Sequence, residues 1–462
     1  MKKVLSLILG ACICSQAKAA SNFSSPTQAC SFFSSNYGNL TSFPNSTIYT
    51  EINTDFWDAA AALGPACIFA PDTAEKMALA VKTLVQFNNP FALKGGGHLA
   101  IAGANNINST GVLLAGQNLN QIDLAADSKT VDVGPGNNWG QVMNYLQDFN
   151  LSVVGGRMSI VGVPGLLTGG GMSNFGNELG WASSNIDEYS CVLANGTLAN
   201  VTATNEYSDL FWALRGGGNS FCIVTNFKLR TLEVPAFTAG ERSWSGNQSQ
   251  GFLDAVYNMA ANPNPDVKGA LTPVANAGSS QNGTSYSCMM FYNGNDTAPE
   301  FYQNFSAPIL TPVTDSYGPM DGMGSAATFM SIGTDQIAGF REGWWFTTIR
   351  ANREALQIIH DTYFEMIEAY FADVDIWITG LAMNIISKQY VLGGIEQGGP
   401  DPMGLNASLA PYIMIEESIT DVFGGYPAEN VQELKTIREK YDPNRVYTDL
   451  MPGGWKVADY EI

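Results

Sequence analysis

Lys94-Gly95-Gly96-Gly97-His98 follows directly on the apolar run Phe91-Ala92-Leu93, and the reading of this stretch decides what the chain folds into. The apolar run reads as a short strand, so the glycines open the loop at its end. Lacking Cβ atoms, they let backbone N–H groups crowd around an anion and take positive φ at no cost. A pyrophosphate suits such a nest, with Lys94 adding charge. The histidine that closes it is one of only two in 462 residues; the other is His360.

Two more glycine segments border strand-like runs. Val161-Gly162-Val163-Pro164-Gly165-Leu166-Leu167-Thr168-Gly169-Gly170-Gly171 interleaves glycine with apolar residues, and Arg215-Gly216-Gly217-Gly218-Asn219 follows Asp209-Leu210-Phe211-Trp212-Ala213-Leu214. A single glycine run is most often a turn. Three beside strands, one ending in a rare histidine, point instead to a cradle for a phosphorylated cofactor. Other chemistries are poorly supplied. Two histidines cannot make a three-His metal site, and the sequence has no H-E-x-x-H helix, no G-x-S-x-G elbow and no G-x-x-x-x-G-K-[ST] loop. No metal site is expected.

Working outward, the N-terminus has the form of a secretory signal over residues 1–19: Lys2 and Lys3, an apolar run from Val4 to Cys14, then the small-x-small site Ala17-Lys18-Ala19. That run is too short to span a bilayer. N-x-S/T sequons, among them Asn39, Asn45, Asn108, Asn150, Asn195, Asn295 and Asn406, suit an extracellular glycoprotein. The net charge of −20 with no Lys/Arg-rich block argues against a nucleic-acid partner, and no later stretch is a membrane helix. Once Cys12 and Cys14 leave with the signal, Cys30, Cys67, Cys191, Cys222 and Cys288 remain, an odd set. Cys30 and Cys67 are the expected disulfide; Cys191 and Cys222 lie in apolar runs and read as inert core.

The length implies two domains or two lobes around a cleft. Residues 20–54 read as a polar N-terminal segment, Ser21 to Ser46 being a turn-rich flap outside the core. From there the pattern alternates: a helix over Thr73–Phe87, strands at Gly111–Leu114 and Thr130–Val133, a helix over Trp139–Phe149, strands at Ile186–Leu193, Thr197–Ala203 and Ile223–Arg230, and a helical turn at Ser208–Leu214. The composition changes near Glu233-Val234-Pro235, which sets a boundary. Beyond it, Ser285–Tyr292 and Val374–Thr379 are expected as strands, and Arg350–Phe371 and Val431–Lys440 as helices.

Taken in order, Lys94 to His98, the Gly155–Gly171 zone, Asp209 to Gly218 and the tail Tyr441-Asp442-Pro443-Asn444-Arg445-Val446-Tyr447 resemble the berberine bridge enzyme-like branch of the vanillyl-alcohol oxidase flavoproteins. The resemblance implies an α+β fold: a bipartite PCMH-type FAD-binding domain at 55–232, a substrate domain at 233–425 with an antiparallel sheet covered by helices, and a segment at 426–462 that returns to the first domain. It implies a cofactor set of Lys94, Gly95, Gly96, Gly97, His98, Met158, Val161, Gly162, Gly165, Gly169, Gly170 and Ile223, with FAD bonded through its 8α-methyl to His98. Such a tether stops cofactor loss and makes the flavin a stronger oxidant. Met158 stands where many relatives have a cysteine bonded to the flavin C6, so a single link is expected. Val161 stands beside the oxygen-reactive face. His360 is read as structural.

The expected reaction is hydride transfer from a small organic substrate to the flavin N5, then reduction of O2 to H2O2. Between Ser418 and Tyr426 the chain lacks a segment that in relatives often supplies the catalytic base, so no base is assigned. Tyr292, Trp344, Trp345 and Tyr447 are candidates to line the pocket. Three readings stay open: an oxidase of a secondary metabolite, a carbohydrate oxidase, and a flavin-binding protein disabled by the short region at 419–425.

Overall fold

The computed structural model describes residues 23–460 except 263, 279–282, 343–345, 371–375, 377, 417–425 and 455. The signal-like N-terminus, Trp344, Trp345 and the short region at 419–425 lie outside the described residues.

Three sheets build the molecule. The first comprises β1 (Thr41–Ser42), β2 (Cys67–Phe69), β3 (Phe91–Lys94) and β4 (Val112–Ala115), in the order β1-β2-β4-β3. β4 runs parallel to both β2 and β3. Parallel strands buried on both faces require continuous apolar runs, and Cys67-Ile68-Phe69 and Val112-Leu113-Leu114-Ala115 supply them. The β2-to-β3 crossover is the helix Ala74–Gln86, whose N-cap Thr73 accepts from the Lys76 amide. It leaves Gly95–His98 at the C-terminal edge of the sheet, where α/β folds bind ligands.

The expected flap is in part a core element. Thr27–Asn36 is a helix that buries Ala29, Cys30 and Phe33, with Phe33 stacked on Phe69 at 4.4 Å and Cys30 bonded to Cys67. Its polar residues occupy the outer face, which masked the short inner stripe.

The second sheet contains β5 (Ile122–Leu124), β6 (Thr130–Val133), β7 (Leu151–Val153), β8 (Ile186–Val192), β9 (Leu198–Thr202) and β10 (Ile223–Glu233). Its order is β5-β6-β10-β8-β9, with β7 on the far end of β10. The glycine segments at 155–171 and 215–219 are its loops.

The third sheet is antiparallel: β11 (Thr238–Ser245), β12 (Gly269–Ala277), β13 (Ser285–Tyr292), β14 (Thr314–Asp315), β15 (Gly318–Pro319), β16 (Phe346–Arg350), β17 (Thr379–Ile386) and β18 (Tyr412–Glu416). The order is β14-β11-β13-β12-β17-β18-β16, and β15 pairs with β11. β17 begins at Thr379; residues 374, 375 and 377 of the strand expected at Val374–Thr379 lie outside the described residues. Alternation decides its faces. Trp244, Tyr286, Cys288, Ile413 and Ile415 point to the helices Ser249–Ala261 and Arg353–Tyr370, and they form one core with Phe252, Leu356 and Tyr363. Their sequence neighbours Ser243, Ser287, Met414 and Glu416 face the other way, into a cavity.

After the helix Ala428–Tyr441 the chain reaches the first sheet again. Val446, Tyr447, Leu450 and Met451 join the core of Phe33, Phe69 and Leu114. Asp442 fixes this turn by accepting from the Val446 and Tyr447 amides at 2.6 and 2.8 Å.

Candidate active site

One cavity of about 1980 Å3 runs from the loops of the first two sheets to the open face of the third. Ordinary ligand pockets hold about 300–1,000 Å3, so this one has room for a dinucleotide and a substrate together.

Lys94, Gly95, Gly96, Gly97, His98, Met158, Val161, Gly162, Gly165, Gly169 and Ile223 all line it. Gly170 does not. It takes a φ of 97° behind the wall, with Met403 packed where a Cβ would stand. Two glycine loops meet backbone to backbone: a Cβ on Gly96 would lie 2.4 Å from the Gly162 Cα, and one on Gly162 would lie 2.6 Å from the Gly96 Cα. Gly97 needs its φ of +69°, and a Cβ there would strike the Asp55 carbonyl at 2.8 Å. Gly165 and Gly218, by contrast, have no atom within 4 Å of a Cβ and leave open space. A cradle of bare backbone beside that space fits the diphosphate of FAD.

The cations near the cradle are already engaged. Lys94 is buried, with its ammonium 2.6 Å from the Asp55 carboxylate and over the Phe56 ring. Arg215 turns away from the glycines that follow it and donates to the carbonyls of Gly398 and Pro400. Anion binding here would therefore rest on backbone amides.

His98 lies against Trp57, ring centroids 4.8 Å apart. Burial pushes its imidazole pKa down to about 4, so the ring is neutral at physiological pH. A neutral ring keeps the lone pair that a covalent tether through nitrogen would require. Met158 and Val161 sit on the facing segment, and the Val161 carbonyl is anchored by the Trp139 amide at 3.0 Å.

Toward the third sheet the wall carries a buried polar cluster absent from the sequence reading. Arg157 donates to the Thr272 hydroxyl and to Asn384 Oδ1, and Asn384 Nδ2 donates to Glu416 Oε2 at 3.3 Å. Burial raises the Glu416 carboxyl above its ordinary range, against the opposing pull of Arg157 and Asn384. Burial likewise lowers the Arg157 guanidinium. Glu416 is half-buried and lines the cavity. The cluster assembles from four distant segments, and no spacing announces it. The period-2 pattern of Tyr412-Ile413-Met414-Ile415-Glu416 was the available signal.

The lining also carries the apolar side chains of Met289, Phe329, Ile332, Ile337, Phe340 and Met414, together with polar ones such as Ser243, Asn276 and Ser287. Glu342 stands at the same wall; burial first, then Asp58, raise its pKa to about 7. Two expected aromatics are elsewhere. Tyr447 is fully buried and donates to the Val192 carbonyl at 2.8 Å, and Tyr292 donates to Asp266. Tyr447 sits in the core of the first sheet, and Tyr292 is half-buried against the core of the third. Trp57, Trp181, Tyr426 and Phe346 line the cavity instead. His360 is buried between Tyr286 and Asp361, at 2.8 and 2.9 Å.

This fold, with an anion cradle and a cavity shared by two lobes, defines a flavoprotein of the PCMH type. Residues 65–202 match the model of an FAD binding domain. The chain is 30% identical, over 96% of its length and 96% of the relative's, to the FAD-dependent monooxygenase prx3 of Penicillium roqueforti. It is 28% identical to the FAD-dependent monooxygenase yanF of Aspergillus niger, over 91% of this chain and 78% of the relative. Berberine bridge enzyme superposes with a TM-score of 0.71 at 15% identity, covering 93% of this chain and 100% of that one. The xylooligosaccharide oxidase of Myceliophthora thermophila, solved with xylobiose, also gives 0.71, at 19% identity and 94% and 100% coverage. The chain belongs to the berberine bridge enzyme-like family of FAD-linked oxidoreductases.

Proposed function

We propose that this protein is a secreted oxidase, carrying FAD covalently on His98, that oxidises a small and largely apolar secondary metabolite, with Glu416 taking the substrate proton. The observation that carries the reading is the cavity's continuity from the glycine cradle to the Arg157–Asn384–Glu416 cluster. FAD, when bound, would accept a hydride from the substrate and pass the electrons to O2, giving H2O2.

The chain's own residues divide the rest of the work. Gly95, Gly96, Gly97 and Gly165 would hold the diphosphate, and Met158 and Val161 would lie against the ring. Glu416, raised in pKa by burial, is poised to take a hydroxyl or other acidic proton near neutral pH. Arg157 and Asn384 orient its carboxylate, and Arg157 would steady the charge that remains on the substrate oxygen. Met289, Phe329, Ile332, Ile337, Phe340 and Met414 would give a ring system apolar contacts, while Ser243, Asn276 and Ser287 could serve a sugar's hydroxyls, so the two substrate classes are separated by the test below. We assign 55–232 to the cofactor, 233–425 to the substrate and 426–462 to the return segment. Secretion is supported by the form of residues 1–19 and by exposed sequon asparagines such as Asn45, Asn150, Asn195 and Asn295.

The test is anaerobic mixing with two panels, phenolic or polycyclic alcohols and oligosaccharides, following flavin absorbance. Reduction by the first panel, slowed about 10²–10⁴-fold in Glu416→Gln at equal flavin content, supports the reading. Reduction by sugars alone makes it a carbohydrate oxidase, and reduction by neither leaves the disabled flavin-binding protein.

A further inference from the structure

Cys191 and Cys222 were expected as inert core, and both are buried, but their sulfurs stand only 2.6 Å apart. The register explains how they meet. β8 and β10 pair Val192 with Ile223 and Cys191 with Val224, so Cys222 lies diagonally across from Cys191 where β10 begins. A disulfide needs sulfurs at about 2.05 Å, a short movement from the 2.6 Å found here. The separation is far too short for two thiols in ordinary contact. Cys222 also lines the cofactor cavity beside Ile223. A disulfide already joins Cys30 to Cys67, so oxidised sulfur belongs to this fold.

We propose that Cys191 and Cys222 form a second disulfide, a staple between β8 and β10 on the cofactor-cavity wall, which leaves Cys288 as a free thiol. The two thiols lose two protons and two electrons. The acceptor is a small or protein disulfide, reduced to two thiols by exchange: one cysteine thiolate attacks it and releases the first thiolate, then the second cysteine attacks the mixed disulfide and releases the other. Exchange belongs to folding, before the strands close, because burial in the native state pushes the Cys191 thiol well up and suppresses its thiolate. The staple joins residues 31 apart in sequence and closes a loop that includes β9 and the helix Ser208–Leu214.

Differential alkylation tests this on the full chain, purified without reductant from a secreting host and unfolded in guanidinium at pH 8, where thiols react as thiolates. Iodoacetamide is added first, then a reductant, then a heavy-isotope form of the reagent. Cys288 should take the first reagent, and Cys30, Cys67, Cys191 and Cys222 only the second, with a linked peptide pair 191–222 in the unreduced digest. Cys191→Ser should move Cys222 into the first class. Alkylation of Cys191 and Cys222 by the first reagent, while Cys30 and Cys67 stay protected, overturns the proposal.

Discussion

His98 and Glu416 sit at opposite ends of one cavity, and burial shifts each toward a neutral form, with different consequences. For His98 the neutral ring is the reactive one, so the tether should form without a separate activating group. Denatured wild-type protein should stay yellow, with one FAD mass on the peptide containing His98. His98→Ala should still bind FAD through the backbone cradle and release it on acid precipitation. Met158 offers no thiolate, so flavin on any peptide containing Met158 would contradict the single-link reading. If Glu416 is the base, as proposed, its charged form does the work. With its pKa raised, kcat/KM should fall on the acid side of a limb lying above 4.5, the ordinary glutamate value, and Glu416→Gln should lose that limb. Glu342 gives a separate stability signal. Its folded pKa of about 7 exceeds the unfolded 4.5, so its contribution is full below 4.5 and is lost as pH rises through 7. Glu342→Gln should flatten that part of the Tm-against-pH curve; an unchanged slope would refute the assignment.

At the scale of elements, the contact that joins the two glycine loops is backbone on backbone. Gly96 and Gly162 leave no room for a Cβ on either side, so Gly162→Ala must part the loops or distort them. Overpacking of this kind costs about 1–3 kcal/mol. The expected outcome is a lower Tm and weaker FAD retention in the His98→Ala background, whereas Gly165→Ala, which meets no protein atom but enters the space the diphosphate would fill, should leave Tm nearly unchanged and weaken retention alone. These loops were legible in the sequence because glycine clusters beside apolar runs have few other uses. The strands Ser285–Tyr292 and Thr130–Val133 were legible because their alternation is clean. β12 was not: Gly269-Ala270-Leu271-Thr272-Pro273 carries the glycine and proline of a loop, and only its neighbours β13 and β17 make it a strand. Arg157, Thr272, Asn384 and Glu416 stayed invisible for the same reason. Each is an ordinary polar residue until the third sheet folds over the second.

For the whole molecule, the cavity matters more than any one wall. The first two sheets provide the cradle, the third provides a chamber with a carboxylate at its wall, and the tail from Val446 to Met451 closes back on the first sheet. On the proposed function, one continuous space for cofactor and substrate would couple the oxidation of one to the reduction of the other. Access at Val161, where a larger side chain would cover the ring, is then proposed to govern what takes the electrons. Val161→Leu should slow reoxidation by oxygen and leave reduction by substrate nearly intact. Double-mixing stopped flow on the wild-type protein decides between oxidase and dehydrogenase: reduce it anaerobically with a phenolic or polycyclic substrate, then mix with air-saturated buffer. A prompt return of the oxidised flavin spectrum with stoichiometric H2O2 is expected. Reduced flavin that persists for minutes in air, yet reoxidises at once with a dye acceptor, would contradict the oxidase reading and make the protein a dehydrogenase.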